Sequence, residues 1–385
     1  MENVDFDIAI IGAGPVGLAL ACALDKLPGI RPTVALFQAD HPVMHNPARD
    51  TRVLALNHGS RVFLEQLQGW PGQYAAIETV HVSQKGRLGR TLINHTDFDV
   101  AALGYVVPYR AVHASLQQNV NDGHTLRLAG APATVANEPD SAAASISQNG
   151  KTYRARIVVQ CDGAKPDTQL RDYNQHAIIT SARAALPRPG WAWERFTREG
   201  PLAVLPHPVF ADAQSIVWCT SPARARELLA ADDASFSRAL TDHFGDRLGL
   251  FSVLESRHIF PLALSVTKNT VNGRIVTIGN AAQALHPVAG QGLNLGLRDV
   301  AGLLRALQPW LIDPVQDPQP ALSAFAGSRR ADRGITRQLT DLMPRIFTTG
   351  NPLIEHACGL SLLALDLTEP LRRPLARHLL QGYRN

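Results

Sequence analysis

The sequence contains two glycine-rich segments of a kind that binds phosphates or other oxygen-rich groups. The first, "GAGPVG", follows a predicted strand and precedes a predicted helix. In this context Gly12 permits a tight turn, Gly14 lets the backbone approach a pyrophosphate, and Gly17 lets helix and strand pack closely. The helix adds free N–H groups and a positive dipole end. The segment predicts a dinucleotide site made of Gly12, Ala13, Gly14, Pro15, Val16 and Gly17.

The second segment, "GNAAQALHPVAGQGLNLGLRD", runs from Gly279 to Asp299. Asn280 ends a predicted strand, and its amide can hydrogen-bond a polyol chain. Gly290, Gln291 and Gly292 stand where a helix begins, so their N–H groups can hold an oxygen-rich ring edge or a developing anion. The segment therefore predicts a second site for part of a ligand.

Polar residues also follow two other predicted strands. Gln38 stands where a ribose-binding acid is expected, with Asp40 as the fallback. Asp162 and Gly163 follow the buried strand "RIVVQ". They form either an ordinary Asp-Gly turn or a ligand contact at the carboxyl edge of a parallel sheet.

The elements that must position these residues come in separate pieces. "FDIAIIGAGPVGLALACAL" and "TVALFQAD" form a βαβ unit, and strands of the same buried type return at "RIVVQ" and "GRIVTIGN". Between the last two lie strands of antiparallel character and a helix from Pro222 to Phe244, with Ser221 as its N-cap. "RVLALNHGSRVFLEQL" has helical spacing, and the chain after Gln291 is mostly helical.

The pattern predicts an α/β fold in which a Rossmann-like nucleotide-binding domain is discontinuous and an antiparallel-sheet substrate domain is inserted into it. We assign residues 1–75, 104–177 and 272–345 to the nucleotide-binding domain, 76–103 and 178–271 to the substrate domain, and 346–385 to a C-terminal helical segment.

Composition narrows the class of protein. The 385 residues are 45% hydrophobic and 18% charged, which is typical of a soluble globular protein. The acidic start, "MENVDFD", enters a strand at once and is not a signal peptide, so we expect a cytoplasmic protein. The four cysteines form no CxxC pair, and no metal-ligand spacing occurs. A net charge of +4 without a basic aromatic stripe argues against nucleic acid as a partner.

Six stretches carry a resemblance to a known family. They are "IIGAGPVGLALA", "TRVLALNHGS", "YVVPYRAVHASL", "QCDG", "AWERFTREGPLAVLP" and "GNAAQALHPVAGQGLNLGLRDV". The stretches occur in the order found in group A flavoprotein monooxygenases of the para-hydroxybenzoate hydroxylase type, and the sequence resembles that family. Among these it is most similar to the ubiquinone-biosynthesis ring hydroxylases, in particular the 2-polyprenyl-6-methoxyphenol hydroxylases.

The resemblance implies FAD, bound across both glycine segments, with NAD(P)H as a transient co-substrate. It places Gln38 at the ribose, Arg52 and Arg110 near the phosphates and ribityl chain, and Asp162 and Gly163 at contacts with FAD and NAD(P)H. It puts Gly279 and Asn280, which replaces a common Asp, at the ribityl hydroxyls. Beside the isoalloxazine it puts the Pro287 carbonyl and the amides of Gly290, Gln291, Gly292, Leu293 and Asn294; Pro287, Gly290 and Gln291 are the flavin-side catalytic positions. His286 is either a base or a neutral structural histidine.

The resemblance implies that O2 adds to the reduced flavin as a C4a-hydroperoxide and that one oxygen passes to a polyprenylated phenol. Such a substrate implies peripheral membrane contact and association with other ubiquinone-biosynthesis enzymes. The tail "LRRPLARHLLQGYRN" either touches anionic lipid or packs as a C-terminal helix. The alternatives are an isoprenoid reductase or halogenase of the same fold, and a non-catalytic flavoprotein scaffold.

Overall fold

The computed structural model describes residues 4–40, 50, 52–138, 141–162, 168–287 and 290–381. The strands in this part of the chain are Phe6–Ile11 (β1), Val34–Ala39 (β2), Val53–Asn57 (β3), Ala75–Ile77 (β4), Thr79–Gln84 (β5), Arg90–Asn94 (β6), Gly104–Pro108 (β7), Leu126–Gly130 (β8), Thr134–Asn137 (β9), Ala144–Gln148 (β10), Lys151–Gln160 (β11), Thr168–Ala184 (β12), Trp191–Phe196 (β13), Pro201–Pro206 (β14), Ala213–Thr220 (β15), Phe251–Val253 (β16), His258–Thr267 (β17), Val271–Asn272 (β18), Ile275–Thr277 (β19) and Gln283–Ala284 (β20). The α-helices are Pro15–Asp25 (α1), His58–Gln66 (α2), Tyr109–Asn121 (α3), Pro222–Ala230 (α4), Asp233–Phe244 (α5), Gln291–Leu311 (α6), Gln319–Phe347 (α7), Pro352–Leu367 (α8) and Glu369–Gln381 (α9).

The first sheet assembles pieces that are far apart in the sequence. Its strand order is β18-β19-β11-β1-β2-β8, with β10 on β11 and β9 on β10. Strands β19, β11, β1, β2 and β8 are parallel. Helices α1, α3 and α6 supply apolar side chains to the core on one face, and β9 and β10 help to cover the other. The predicted α/β class is confirmed, since the strand of each sequence piece joins one parallel sheet.

A small sheet of order β3-β7-β4 stands beside the first. The helical prediction for "RVLALNHGSRVFLEQL" is wrong in its first half, because Val53–Asn57 pairs antiparallel with Gly104–Pro108. Helix α2 begins only at His58, where the Asn57 side chain accepts a hydrogen bond from the Ser60 amide. Apolar spacing alone did not distinguish this paired strand from a helical turn.

The second sheet is the inserted one, with strand order β20-β17-β12-β15-β14-β13-β5-β6 and β16 on β12. Its pairs are antiparallel except β13 with β5. Strand β12 pairs with β17 from Thr168 onward, so the sheet starts before the domain boundary that we placed at residue 178. Helices α4 and α5 cover one face, and Ser221 caps α4 as predicted by accepting from the Arg224 amide.

The C-terminal helices return to the second sheet. The ring of Phe347, at the end of α7, stacks on Phe196 of β13 with 4.1 Å between centroids. Helix α8 packs along β6, where its Asp366 accepts a hydrogen bond from the Leu92 amide. Within the described residues no helix is both long and apolar enough to cross a membrane.

Candidate functional site

The first glycine turn has close contacts that leave no room for a side chain at Gly12 or at Gly17. Gly12 has φ +105°, and a Cβ there would lie 2.7 Å from the Cβ of Asp162. A Cβ on Gly17 would lie 2.0 Å from the Gly12 carbonyl oxygen. The two ends of the turn therefore need glycine, for backbone conformation at Gly12 and for close packing at Gly17.

The two glycine segments meet at Val16, in the first turn of α1. A Cβ on Gly279 would lie 3.1 Å from the Val16 side chain, and one on Gly296 of α6 would lie 2.6 Å from it. The segments that are far apart in sequence thus form one continuous surface. A single extended ligand can contact both.

Open space lies over the start of each helix. Gly14 caps α1, Gly292 is the second residue of α6, and a Cβ on either would meet no atom within 4 Å. The first N–H groups of a helix have no intrahelical acceptor, so each start offers donors and positive potential to an anionic or oxygen-rich group. These two openings fit the pyrophosphate and flavin ends of FAD.

The start of α6 is fixed by Gly290 and Asn294. Gly290 has φ +60°, and a Cβ there would lie 2.8 Å from that of Ala55 in β3. The Asn294 amide donates to the carbonyls of Ala55 and Gly290 at 2.9 and 2.7 Å. Its oxygen accepts from the Asn57 amide and the Ser60 hydroxyl at 2.9 and 2.7 Å. The Asn294 side chain is therefore committed to holding α6 on β3 and is not available to a ligand.

Behind the second segment lies a buried ion-pair network. The Asp299 carboxylate, fully buried in α6, accepts from the Gly279 amide at 3.1 Å and pairs with Arg329 and Arg333 of α7, each at 2.9 Å. Burial alone would raise the pKa of Asp299, but Arg333 and Arg329 outweigh it and hold the pKa below its ordinary value.

The same network reaches the start of α6. Arg298 pairs with Asp332 at 2.8 Å and donates to the Gln291 side chain at 3.3 Å. The Gly279 turn, predicted at the ribityl hydroxyls, and Gln291, predicted beside the flavin, thus both depend on α7. Sequence reasoning missed this, and the only signal was Arg329 and Arg333 spaced one helical turn apart.

The two neutral amides at the strand ends differ in their partners. The Gln38 side-chain oxygen accepts a hydrogen bond from Arg127 at 2.9 Å, a partner that the sequence analysis did not consider. Asn280 is exposed in the turn that follows β19, and its side chain makes no hydrogen bond within the described chain. Asp162 lies against Gly12, whereas Gly163 falls outside the described residues.

The two predicted phosphate-side arginines come together at the start of α3. The Arg52 carbonyl accepts from the Tyr109 amide at 2.9 Å, and its guanidinium lies 4.8 Å from the Tyr109 ring centroid. Arg52 also pairs with Asp50 at 2.5 Å, which raises the pKa of Arg52. Arg110, the second residue of α3, is exposed and has no ion-pair partner in the described chain.

His286 has the properties of a neutral, structural histidine. It is 1% exposed, its Nε2 lies 3.2 Å from the Gln175 side-chain oxygen, and the Tyr173 ring meets it edge-on. Burial lowers the pKa of His286 to about 4, so it is uncharged at neutral pH. The neighbouring Pro287 carbonyl accepts from the Gly290 amide at 3.0 Å, which closes the turn into α6.

A cleft lies between β3 and the inserted sheet. Val53 lines it from β3, and its other lining residues include Ile179, Ser181, Ser215 and Glu255. The Ser181 hydroxyl donates to Glu255 at 2.6 Å, while the buried Ser215 hydroxyl has no hydrogen-bond partner in the described structure. Val53 and the Ala55 that packs on Gly290 are two residues apart in β3 and share a face, so the cleft adjoins the start of α6.

Comparison with known proteins identifies relatives. A family model described as an FAD binding domain matches residues 107–312. The ubiquinone hydroxylase UbiL of Rhodospirillum rubrum is 30% identical over 97% of this chain and 89% of that protein. The 3-demethoxyubiquinol 3-hydroxylase of Escherichia coli is 29% identical over 99% of this chain and 100% of that protein.

Solved structures share the fold. The p-nitrophenol 4-monooxygenase PnpA of Pseudomonas putida has a TM-score of 0.73 at 15% identity, covering 100% of both chains. Pseudomonas aeruginosa PqsL in complex with 2-aminobenzoylacetate has a TM-score of 0.73 at 17% identity, covering 89% of this chain and 97% of that one.

The cofactor of the family is FAD, with NAD(P)H as co-substrate, and the openings over Gly14 and Gly292 suit it. By the family match and the nearly full-length relative at 30% identity, the chain belongs to the FAD-dependent monooxygenases built on this FAD binding domain.

Proposed function

We propose that this monooxygenase hydroxylates the aromatic ring of a polyprenylated phenol in ubiquinone biosynthesis. The observation that carries the proposal is the continuous surface from Gly14 to Gly292, joined at Val16 and adjoining the cleft between β3 and the inserted sheet. Such a surface accommodates one extended cofactor with a substrate beside its reactive end. The relatives' names supply the pathway.

The ADP half of FAD would lie on the first turn. The amides after Gly14 would meet the pyrophosphate, and the Gln38 amide with Arg127 would meet the ribose. Arg52, whose carbonyl bonds the first residue of α3, and Arg110, the second residue of α3, would counter the phosphate charge. Asp162, against Gly12, would contact the same half.

The flavin half would lie on the second segment. Asn280 offers a free amide to the ribityl hydroxyls, and the first amides of α6 would face the ring. The backbone groups that would carry this contact are the Pro287 carbonyl and the amides of Gln291, Gly292 and Leu293. The predicted Gly290 amide already donates to the Pro287 carbonyl, so Gly290 would contribute by shaping the turn.

FAD, when bound, would supply the redox chemistry: with two electrons from NAD(P)H, one oxygen atom of O2 enters an electron-rich ring and the other leaves as water. The chain's own task is electrostatic and geometric. The dipole at the start of α6 stabilises negative charge at the adjoining ring edge. Because His286 is neutral and bonded to Gln175, it orients the loop before α6 and takes no proton at neutral pH.

The cleft would orient the phenol. Ser215 offers a buried hydroxyl without a partner, and Glu255 holds the hydroxyl of Ser181. A phenolic oxygen beside Ser215 would satisfy that hydroxyl. The cleft has a volume of about 10 Å³, room for one water-sized group, so the ring itself would lie at its mouth.

Peripheral membrane contact and association with other ubiquinone-biosynthesis enzymes belong to the same proposal. The exposed face of α8 supports contact with an apolar surface, because Leu353, Leu360 and Leu367 are 79%, 62% and 77% exposed. On α9, Leu371 is exposed, and the side chains of Leu375 and Leu379 lie outside the described structure.

The test uses the purified, yellow holoprotein and a deletion strain. We expect NAD(P)H oxidation to accelerate with a 2-polyprenylphenol, and the strain to accumulate a precursor lacking one hydroxyl. A strain with an unchanged quinone pool would refute the pathway. A yellow protein that binds FAD but does not oxidise NAD(P)H faster with any phenol would favour the non-catalytic flavoprotein scaffold.

A further inference from the structure

A second cavity, of about 330 Å³, lies away from both glycine segments. We call it the basic pocket. It is enclosed by the turns after β5 and β13, the end of α5, and α8. Its lining includes Gln84, Lys85, Arg87, Arg198, His243 and Glu355. None of the residues assigned above to FAD or to the phenol lines it.

The charges on its wall do not cancel. Arg87 and Arg198 both pair with the single carboxylate of Glu355, Arg198 at 2.8 Å. The hydrogen bonds from Arg198, the larger cause, and from Arg87 lower the pKa of Glu355 to about 2. Glu199 also lines the pocket and accepts a hydrogen bond from Thr220 at 3.0 Å.

Two further cations have no carboxylate partner in the described chain. Lys85 donates only to the Asp242 carbonyl, at 3.1 Å. Arg195 reaches the Ser83 hydroxyl at 3.5 Å, and its Nε is buried without a partner. Burial, together with the charge of Arg247, lowers the pKa of Arg195 to about 10. This part of the sheet therefore holds positive charge that the protein does not neutralise.

Two buried side chains of the pocket each have one polar atom without a hydrogen-bond partner in the described chain. Gln84 and His243 are 5% and 7% exposed, and their Oε1 and Nε2 atoms make no hydrogen bond within the described chain. Burial, with Lys85 and Arg195, lowers the pKa of His243 to about 3, so its ring is neutral. Unsatisfied buried polar atoms are rare because each one destabilises the fold, and a bound ligand would satisfy both.

We propose that the basic pocket binds the phosphate group of a small anion. Lys85 and Arg198 supply charged donors to phosphate oxygens, and the neutral His243 supplies a further polar contact. A protonated phosphate oxygen or a neighbouring hydroxyl donates to the Gln84 oxygen, which a plain carboxylate ligand could not do. The volume has room for more than a bare phosphate, so a diphosphate or a phosphate ester would also fit.

Calorimetric titration of the FAD-loaded holoprotein with inorganic pyrophosphate at low salt tests the proposal. Bound FAD occupies the glycine surface, so saturable heat reports another site. Lys85 is exposed, and we expect Lys85→Gln to fold normally and to weaken binding about tenfold, as for the loss of one charge-assisted hydrogen bond. Lys151→Gln, which removes an exposed cation at the start of β11, should bind like the wild type.

A second variant tests the buried contact. Gln84→Leu keeps the volume and removes the acceptor, so it should weaken pyrophosphate binding about threefold or more. Absence of saturable heat, or equal binding by wild type, Lys85→Gln and Gln84→Leu, would overturn the proposal. So would equal weakening by Lys85→Gln and Lys151→Gln, which indicates a general charge effect. If NADP⁺ competes with pyrophosphate, the phosphate group that the pocket binds belongs to a nucleotide. If only orthophosphate competes, the pocket binds a free anion.

Discussion

The two halves of the glycine surface present the same feature, an open helix start, but they are held in different ways. The first turn is fixed by backbone and apolar packing, with Gly17 against the Gly12 carbonyl and α1 in the main core. The second is fixed by polar groups, with Asp299 on the Gly279 amide and Asn294 on β3. The first half is therefore a local structure, while the second depends on a helix that follows it in the chain.

This difference explains why the two halves respond to different changes. A local turn fails when a side chain is added, because the neighbouring backbone cannot move away. A segment held by buried charges fails when one charge is lost, because the partners are left uncompensated. The predictions below separate these two modes of failure.

The largest effect is expected for Asp299→Asn in the second half. The change removes the carboxylate that Arg329 and Arg333 share, and within the described residues only Arg329 keeps a further ion pair, with Asp332. We therefore expect a loss of about 3–5 kcal/mol in the free energy of unfolding. Urea denaturation measures it. Asp122→Asn, at an exposed position after α3, is the matched control and should lie within about 0.5 kcal/mol of the wild type. Equal free energies of unfolding for Asp299→Asn and Asp122→Asn would show that the Asp299 ion pairs do not stabilise the fold.

The next effect belongs to the first half. Gly17→Ala puts a Cβ 2.0 Å from the Gly12 carbonyl oxygen, and we expect a loss of stability of about 3 kcal/mol together with loss of FAD. Gly14→Ala is the matched control, because its Cβ would meet no protein atom within 4 Å. It should fold normally and bind FAD more weakly, as the flavin absorbance of the purified protein would show. If Gly14→Ala retained FAD at full affinity, the pyrophosphate would not lie over Gly14.

The same contrast decides what the sequence could predict. The strand–turn–helix at Gly12 to Gly17 and the Ser221 cap are local, so residue type and spacing indicated them. Strand β3 was missed because only its pairing with β7 makes it a strand. The Asp299 network was missed because its arginines lie on another helix, and burial of a charge leaves no local pattern.

Acid sensitivity is expected in the second half, since Gly12 to Gly17 contain no titratable side chain. The pKa of His286 is about 4 in the folded protein and about 6.5 in the unfolded chain. The unfolded state thus binds more protons between these values, so stability is complete above pH 6.5 and falls as the pH drops toward 4. Between pH 7 and pH 5 the free energy of unfolding should fall by about 2 kcal/mol less in His286→Gln than in the wild type. If the wild type and His286→Gln lose stability equally as the pH falls, then His286 is not held neutral in the folded protein.

The smallest effect compares the two neutral amides, one in each half. The Asn280 side chain has no partner in the described chain, so Asn280→Ala should remove a ligand hydrogen bond and weaken FAD binding about fivefold. Gln38 is hydrogen-bonded to Arg127, whose guanidinium would still face the proposed ribose position after Gln38→Ala, so we expect only about a twofold change there. Fluorescence titration of the apoprotein with FAD measures both dissociation constants. A larger loss for Gln38→Ala would mean that Arg127 depends on Gln38 for its position, and that the adenosine half also relies on a polar contact between strands.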